Sequence, residues 1–333
     1  MAKPRITIVG LGFIGTSIGL ALKATSKPQE FELVGHDKEP KAASLARKRK
    51  AVDRTEWNLI SACEPADMII LALPVAAIHD TLAAIAQYLK PGCLVTDTAS
   101  LKGPVLAWAE ELLPREVDFV GGDPIVAAAP TGEGEAVTGG EAASASIFKD
   151  AFYCLTPAPF ASAKAVQLTA DMATRLGAKP YFLDAAEHDG LIAAVDHLPA
   201  LLANALLSTT VQAPAWREMR KLAGGQYQTS TQLMSEEPDV FIDACLHNAE
   251  NVVRWIDSYI ASLQTWRQLI ANEDREGLEA AFEEGQEARR KWLSMRAAGL
   301  WEEREIEMPE KTSYWRSLFG MGGFTKTRRS KDK

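Results

Sequence analysis

The sequence predicts an α/β N-terminal domain, built on a doubly wound parallel sheet, followed by an all-α C-terminal domain. Short β-branched or apolar runs alternate with segments of helical periodicity through the first half of the chain. The run DMIILALP at residues 67–74 is almost wholly apolar, as a strand covered by helices on both faces of a sheet requires. From about residue 187 the alternation stops and only helical periodicity continues.

The elements follow one another in a regular order. The predicted strands cover residues 6–9, 31–34, 67–74, 94–97, a run that starts at 119 and ends at Gly121-Gly122, 152–156 and 180–183. The predicted helices between them cover residues 16–24, 41–50, 78–89, 105–113 and 161–176. Later helical patterns cover residues 191–207, 240–263 and 278–295. We therefore predict domains at 1–184 and 185–296, and a flexible tail at 297–333.

Composition excludes several classes of protein. The 333 residues are 47% hydrophobic and 24% charged, with a net charge of −8, so a disordered chain is excluded and neither nucleic acid nor an anionic membrane is an expected partner. The longest apolar stretch, residues 69–78, is much shorter than a membrane span, and the N-terminus lacks the apolar region of a signal peptide. Four scattered cysteines without metal-ligand spacing predict no metal site and a reducing, cytoplasmic location.

A glycine motif at the first strand-to-helix turn predicts a Rossmann-type dinucleotide site. Gly10, Gly12 and Gly15 form GxGxxG, in which the first glycine allows the tight turn and the second lets a pyrophosphate approach the backbone. The third lets the helix pack close to the sheet, and the free N–H groups at the helix start attract phosphate. The alternative is a glycine turn without a ligand, which the matching strand and helix on either side disfavour.

Asp37 predicts the choice of cofactor. It follows the second strand, 22 positions after Gly15, close to the spacing of roughly 20 at which an acidic residue binds the ribose hydroxyls. A carboxylate there repels a 2′-phosphate and favours NAD, although Lys38 and Lys41 leave NADP open.

Several ordered blocks of sequence resemble the prephenate/arogenate dehydrogenase family. They are VGLGFIGTSIGLAL, ILALPV, VTDTASLKG, FVGGDPI, EHDGLIAAVDHLPALLANAL and GGQYQTSTQLMSEEPDVF, and together they span roughly residues 5–295. The resemblance implies a Rossmann domain, a helical domain that forms a homodimer, and oxidative decarboxylation of a cyclohexadienol in tyrosine biosynthesis. It also implies cofactor contacts from Gly10, Gly12, Phe13, Ile14, Gly15, Asp37 and Pro74.

The resemblance also assigns catalytic and substrate positions. Ser100 matches the family's serine at the reacting hydroxyl, and Lys102 follows it in the same block as a substrate-binding candidate. His197 matches the histidine of the family's SHLPH motif, and the pair His188-Asp189 matches the family's HD pair at the start of the helical domain.

Two positions depart from the family pattern. The family's GGHP motif reads GGDP here, so Asp123 stands at the catalytic histidine position, and Gln232 stands where the family has a carboxylate-binding arginine. An unshifted aspartate is a weaker base than histidine by roughly 2.6 pKa units, or about 3.5 kcal/mol. A neutral amide also binds a carboxylate less strongly than a guanidinium does, so a dianion such as prephenate should bind less well unless Arg217, Arg220 or Lys221 compensates.

Other interpretations of these residues remain open. Ser100 could cap the helix that begins near Pro104, Asp123 could be a turn residue, and His197 could hydrogen-bond within a helical hairpin. His188-Asp189 are expected to orient the domain junction. The alternative functions are a same-fold dehydrogenase with a different substrate, including arogenate, and a catalytically weakened NAD-binding regulatory protein.

Overall fold

Eight strands form one sheet in the computed structural model, which describes residues 3–27, 30–126, 139–235 and 238–299. Its strand order is β3-β2-β1-β4-β5-β6-β7-β8. The strands are β1 (Arg5–Val9), β2 (Glu32–His36), β3 (Arg54–Thr55), β4 (Met68–Leu71), β5 (Leu94–Asp97), β6 (Asp118–Ile125), β7 (Phe152–Pro157) and β8 (Lys179–Phe182). The order doubles back at β1, which is the doubly wound arrangement that the sequence predicts.

Helices connect these strands and cover the sheet. They are α1 (Phe13–Thr25), α2 (Pro40–Lys48), α3 (Leu59–Cys63), α4 (Val75–Ile85), α5 (Gly103–Leu112), α6 (Gly139–Ala142) and α7 (Ala163–Leu176), with 3-10 turns at Ala86–Tyr88 and Ala145–Phe148. Two buried apolar clusters lie on the sheet, one with α1 and α7 and one with α4 and α5. The central strand β4 is buried at all four positions, because helices cover both of its faces.

One strand pair differs from the predicted all-parallel sheet. β6 pairs with β7 in antiparallel register, with Asp123 opposite Cys154, whereas the other pairs are parallel. A parallel pair needs a long crossover, and the described part of the β6–β7 connection holds only the four-residue α6 and a 3-10 turn. The predicted end of β6 at Gly122 is therefore wrong, since the strand continues through Asp123 to Ile125 and gains its partner from β7.

The chain divides into two units between His188 and Asp189, and the described residues of the second unit form helices joined by short turns, with no strand. Helix α8 (Ala185–Ile192) crosses this division. It is followed by a π-helical turn (Ala193–His197), α9 (Leu198–Val211), α10 (Trp216–Leu222), α11 (Gly225–Thr231), a 3-10 turn (Gln232–Ser235), α12 (Pro238–His247), α13 (Ala249–Ala271) and α14 (Arg275–Ala298). The predicted α/β domain followed by a helical domain is confirmed. The predicted tail lies outside the described residues from position 300 onward.

A single long helix runs from Ala185 to Val211. By length and composition it could cross a membrane, although the search for uninterrupted apolar stretches did not single it out. Polar residues such as His188, Asp189 and Asp196 interrupt its apolar runs, so the sequence pattern did not show that it is one continuous helix. One such helix is weak support for a membrane span, because a core helix passes the same test.

Candidate active site

The glycine turn between β1 and α1 has the geometry of a phosphate-binding loop. Gly10 has a φ of +93°, and a Cβ there would lie 2.2 Å from the carbonyl oxygen of Ala72. A Cβ on Gly15 would lie 1.9 Å from the carbonyl oxygen of Gly10, so this glycine lets α1 pack against the turn. A Cβ on Gly12 would meet no described atom within 4 Å. The first and third glycines thus serve the fold, and the second faces open space.

The open space at Gly12 fits a pyrophosphate. Gly12 is the N-cap of α1, the helix has no acidic residue in its first turn, and no side chain in the described chain caps it. The N–H groups at a helix start attract anions. Phe13 and Ile14, which begin the helix, are half-buried, and the exposed Pro74 precedes α4 after β4. These positions lie at the carboxyl ends of neighbouring parallel strands, where dinucleotides bind in such sheets.

Asp37 is held beside the glycine turn. Its Oδ2 accepts a hydrogen bond of 2.7 Å from the N–H of Leu11, and its Oδ1 accepts one of 2.8 Å from the N–H of Glu39. The carboxylate therefore has a fixed place at the end of β2, adjacent to β1. This is the position from which an acidic residue binds the ribose of a dinucleotide.

A fully buried ion pair joins the end of β5 to β6. The ammonium of Lys102 contacts the Asp97 carboxylate and donates to the carbonyl oxygen of Gly122 at 2.6 Å, and both charged side chains have no exposed surface. The N–H of Gly122 donates to Asp97 Oδ1 at 3.1 Å. Burial raises the pKa of Asp97, and Lys102 and the backbone donors oppose that rise. The ammonium of Lys102 is enclosed by these partners, and its assignment to substrate binding stays a prediction.

The two glycines before Asp123 make room for this pair. A Cβ on Gly121 would lie 2.4 Å from Thr156 Oγ1, and one on Gly122 would lie 2.7 Å from the carbonyl oxygen of Asp97. Glycine is required here by close packing, and Asp123 follows in the same strand with a buried side chain. Asp123 is therefore not a turn residue.

Asp123 contacts an imidazole from a distant part of the chain. Its Oδ2 lies 3.1 Å from Nε2 of His188, and the side chains are 9% and 1% exposed. His188 lies on α8, whose first turn is fixed by Asp184: the N–H of His188 donates to the Asp184 carbonyl oxygen, and the N–H of Glu187 donates to the Asp184 carboxylate, both at 2.9 Å. The buried Tyr153 adjoins this region, and burial, with help from Asp97 and Asp123, raises the pKa of its phenol.

Ser100 lies in the loop between β5 and α5 and is half-buried. Helix α5 begins at Gly103 with Lys102 as its N-cap, so the alternative role of Ser100 as the helix cap does not match the structure.

His197 and Gln232 belong to the helical unit. His197 is buried at the end of the π-helical turn, where Pro199 cannot donate the normal helical hydrogen bond, and Gln232 is exposed in a 3-10 turn.

Comparison with known families identifies both units. Residues 18–182 match the model of the prephenate dehydrogenase nucleotide-binding domain, and residues 184–284 match the model of the prephenate dehydrogenase dimerization domain. The chain belongs to the prephenate dehydrogenase family. The predicted family resemblance is confirmed, and the matched nucleotide-binding residues begin at position 18, just after the glycine turn.

Characterised relatives agree with this family. The chain is 31% identical over 288 residues to the prephenate dehydrogenase of Lactococcus lactis, covering 86% of this chain and 76% of that protein. It is 29% identical over 287 residues to the cyclohexadienyl dehydrogenase of Zymomonas mobilis, covering 86% of this chain and 94% of that protein. Among solved structures it resembles the prephenate dehydrogenase of Aquifex aeolicus in complex with hydroxyphenyl propionate and NAD+, with a TM-score of 0.78, 26% identity, and coverage of 87% and 99% of the two chains.

Sequence reasoning missed the contact between His188 and Asp123. The two residues are 65 positions apart, and only the fold brings them together. The family match of the His188-Asp189 pair was the available signal, but it carries no information about which side chain the imidazole contacts. Among the described residues no cluster of three potential metal ligands is found.

Proposed function

We propose that this chain catalyses the NAD-dependent oxidative decarboxylation of a prephenate- or arogenate-type cyclohexadienol, in aromatic amino acid biosynthesis. Family membership makes it an NAD-dependent dehydrogenase of the prephenate dehydrogenase type. The observation that carries the proposal is the glycine turn. Gly10 and Gly15 are packed against backbone atoms, whereas Gly12 faces open space where a pyrophosphate would lie.

NAD, when bound, supplies the acceptor for the hydride that leaves C4 of the substrate ring. The N-terminus of α1 and the backbone at Gly12 would hold its pyrophosphate, and Asp37 would bind the ribose of its adenosine half. Phe13, Ile14 and Pro74 would border the cofactor from the adjoining strand ends. The Asp37 carboxylate favours NAD over NADP because a 2′-phosphate would meet its negative charge.

The ring hydroxyl must lose its proton as the hydride leaves. We assign acceptance of this proton to Asp123, and contact with the same hydroxyl to Ser100, which follows the neighbouring strand. The resulting ketone is conjugated to the ring carboxylate, so loss of CO2 makes the ring aromatic. His197 and Gln232 are assigned to the substrate from the helical unit.

Two substituted positions favour a less negative substrate than prephenate. Asp123 brings a carboxylate where the family has an imidazole, and Gln232 brings an amide where it has a guanidinium. Arogenate carries an ammonium group in place of the keto group of prephenate, so its net negative charge is smaller. The second candidate function is therefore a dehydrogenase of this fold that prefers arogenate or another cyclohexadienol over prephenate.

The helical unit is assigned to homodimer formation. Its family model describes a dimerization domain, and large apolar side chains lie exposed along α12 and α13, among them Leu246 at 71% and Val253 at 54%. Exposed apolar patches of this kind mark interaction surfaces. We place the enzyme in the cytoplasm, with a small-molecule substrate and no nucleic acid partner.

The test is turnover by the purified chain. We expect NADH absorbance to rise when NAD is mixed with prephenate or arogenate, faster with arogenate. No turnover of either substrate by a protein that binds NAD would contradict the proposal. An Asp123→His, Gln232→Arg double variant should gain activity toward prephenate, because it restores both family residues.

A further inference from the structure

We propose that His188 is a positioning residue for Asp123. Its Nε2–H donates to Asp123 Oδ2 and holds the carboxylate so that Oδ1 receives the proton of the substrate hydroxyl. This inference rests on the proposed function, in which Asp123 is the proton acceptor.

The imidazole has a fixed position from which to donate. Asp184 holds the first turn of α8 by accepting two hydrogen bonds, one at its carboxylate and one at its carbonyl oxygen. His188 follows in the same turn with its side chain almost fully enclosed. Asp123 is fixed from the other side by its place in β6, between β5 and β7. The backbones that carry the two partners of the 3.1 Å contact are thus each held within an element of secondary structure.

A buried carboxylate needs such a donor. Removing a charged group from water is costly unless hydrogen bonds or an opposite charge compensate it. Lys102, the cation in the adjoining β5–β6 network, is committed to Asp97 and Gly122. Tyr153 lies nearby, but its hydroxyl makes no hydrogen bond with Asp123 or with any other described residue. The imidazole of His188 is thus the donor that the described residues supply to Asp123.

The contact with His188 gives the two carboxylate oxygens of Asp123 different roles. With Oδ2 engaged, Oδ1 is the oxygen left to accept a proton. The hydroxyl proton passes to Oδ1 as the C4 hydride passes to the nicotinamide ring, and the C–O bond becomes a carbonyl. When the bond to CO2 breaks, its electron pair enters the ring and the oxygen takes a proton back as a phenol. Nε2 keeps its proton throughout, so His188 acts only through Asp123.

Two amide substitutions separate this role from simple packing. In His188→Gln the amide nitrogen lies near the place of Nε2 and can still donate to Asp123, whereas in His188→Asn the shorter amide cannot reach it. We expect kcat of H188Q to stay within about tenfold of wild type and kcat of H188N to fall about 100-fold or more, the usual range for loss of acid–base function. KM for NAD should change less than about twofold in both, because His188 lies outside the glycine turn.

A second comparison places the effect on Asp123. In an Asp123→Asn background, H188N should lower kcat by less than about threefold further, since a residue that acts through another has no additional effect once that residue is gone. The matched controls are His79→Gln and His79→Asn, because His79 also lies 3.1 Å from an aspartate, Asp80, but is exposed on α4. These controls should retain wild-type kcat.

The outcomes separate this inference from the proposed function. Absence of turnover by the wild-type enzyme contradicts the proposed function itself. Wild-type turnover together with unchanged kcat in H188N overturns the positioning role, and so does a 100-fold loss in a folded H188Q that still shows a melting-temperature shift with NAD. If H188N does not fold, His188→Leu takes its place, because it fills a similar volume without a donor: a 100-fold loss of kcat beside a retained kcat in H188Q supports donation, and an unchanged kcat overturns it.

Discussion

At the scale of single residues, two buried carboxylates on the neighbouring strands β5 and β6 have different partners. Asp97 has an ammonium and two backbone donors around it, whereas Asp123 has an imidazole. The first carboxylate is enclosed and holds the sheet, and the second retains a small exposed fraction. These neighbours make Asp97 part of the sheet structure, and they agree with the catalytic role that we propose for Asp123.

Lys102 should be essential to stability. Lys102→Met leaves the Asp97 charge buried without its cation, which typically costs about 3–5 kcal/mol. The Lys102→Met, Asp97→Asn double variant removes both charges and should recover a large part of that loss. Urea unfolding measures both free energies of unfolding. A single variant as stable as wild type would show that the pair does not stabilise the sheet.

Asp37 should set the choice between NAD and NADP. Asp37→Asn keeps a side-chain oxygen for the N–H of Leu11 but removes the negative charge that opposes a 2′-phosphate. We expect the ratio of NAD affinity to NADP affinity to fall at least about tenfold, since hydrogen bonds to charged groups contribute about 1.5–3 kcal/mol. Isothermal titration with both cofactors measures the ratio, and tighter binding of NADP by wild type would refute the assignment.

At the scale of elements, the glycines in the turn from β1 to α1 have two different roles, one in folding and one in binding. Gly10 and Gly15 are required because a Cβ would collide with backbone oxygen atoms, while Gly12 has space around it. Glycine is therefore needed for the fold at the first and third positions of the motif, and for ligand access at the second. The same logic applies to Gly121 and Gly122, whose missing side chains make room for the Asp97–Lys102 pair and its neighbours.

Two alanine variants should separate these roles. Gly15→Ala should lower the melting temperature of the protein without cofactor, because its Cβ would lie 1.9 Å from a carbonyl oxygen. Gly12→Ala should change the free energy of unfolding by less than about 0.5–1 kcal/mol, the usual range for glycine to alanine in an unstrained place. It should nevertheless weaken NAD binding, because the added methyl lies where the pyrophosphate approaches. Normal NAD binding by Gly12→Ala would contradict that placement.

At the scale of the whole molecule, the chain combines a sheet unit that carries the nucleotide turn with a helical unit that carries exposed apolar side chains. The proposed dimer predicts a sedimenting species of twice the chain mass of 36.2 kDa. Leu246→Glu should shift this species toward the monomer, because a buried carboxylate in an apolar interface is unfavourable. Lys164→Glu, a charge change at an exposed position of α7 in the sheet unit, serves as the surface control. A wild-type monomer at micromolar concentration would contradict the dimer.

The sequence by itself determined the α/β-then-helical organisation and the position of the glycine turn. Periodicity and glycine spacing are local properties, and they identified β1, α1 and Asp37 without knowledge of distant contacts. The same reasoning predicted that β6 ends at Gly122, whereas the strand continues to Ile125. The last residues of the strand are held by antiparallel pairing with β7, which local sequence does not show. That reasoning also did not predict the ion pair of Lys102 with Asp97, because nothing in the local sequence shows that the two side chains are buried together.

Only the tertiary structure decided which polar groups meet. Asp97 and Gly122, or Asp123 and His188, are far apart along the chain, and their contacts depend on the order in which strands assemble. The sequence named Asp123 as the position that departs from the family. The fold brings the imidazole of His188 to it, because α8 begins close to the end of β6. A buried carboxylate is stable only with such a donor.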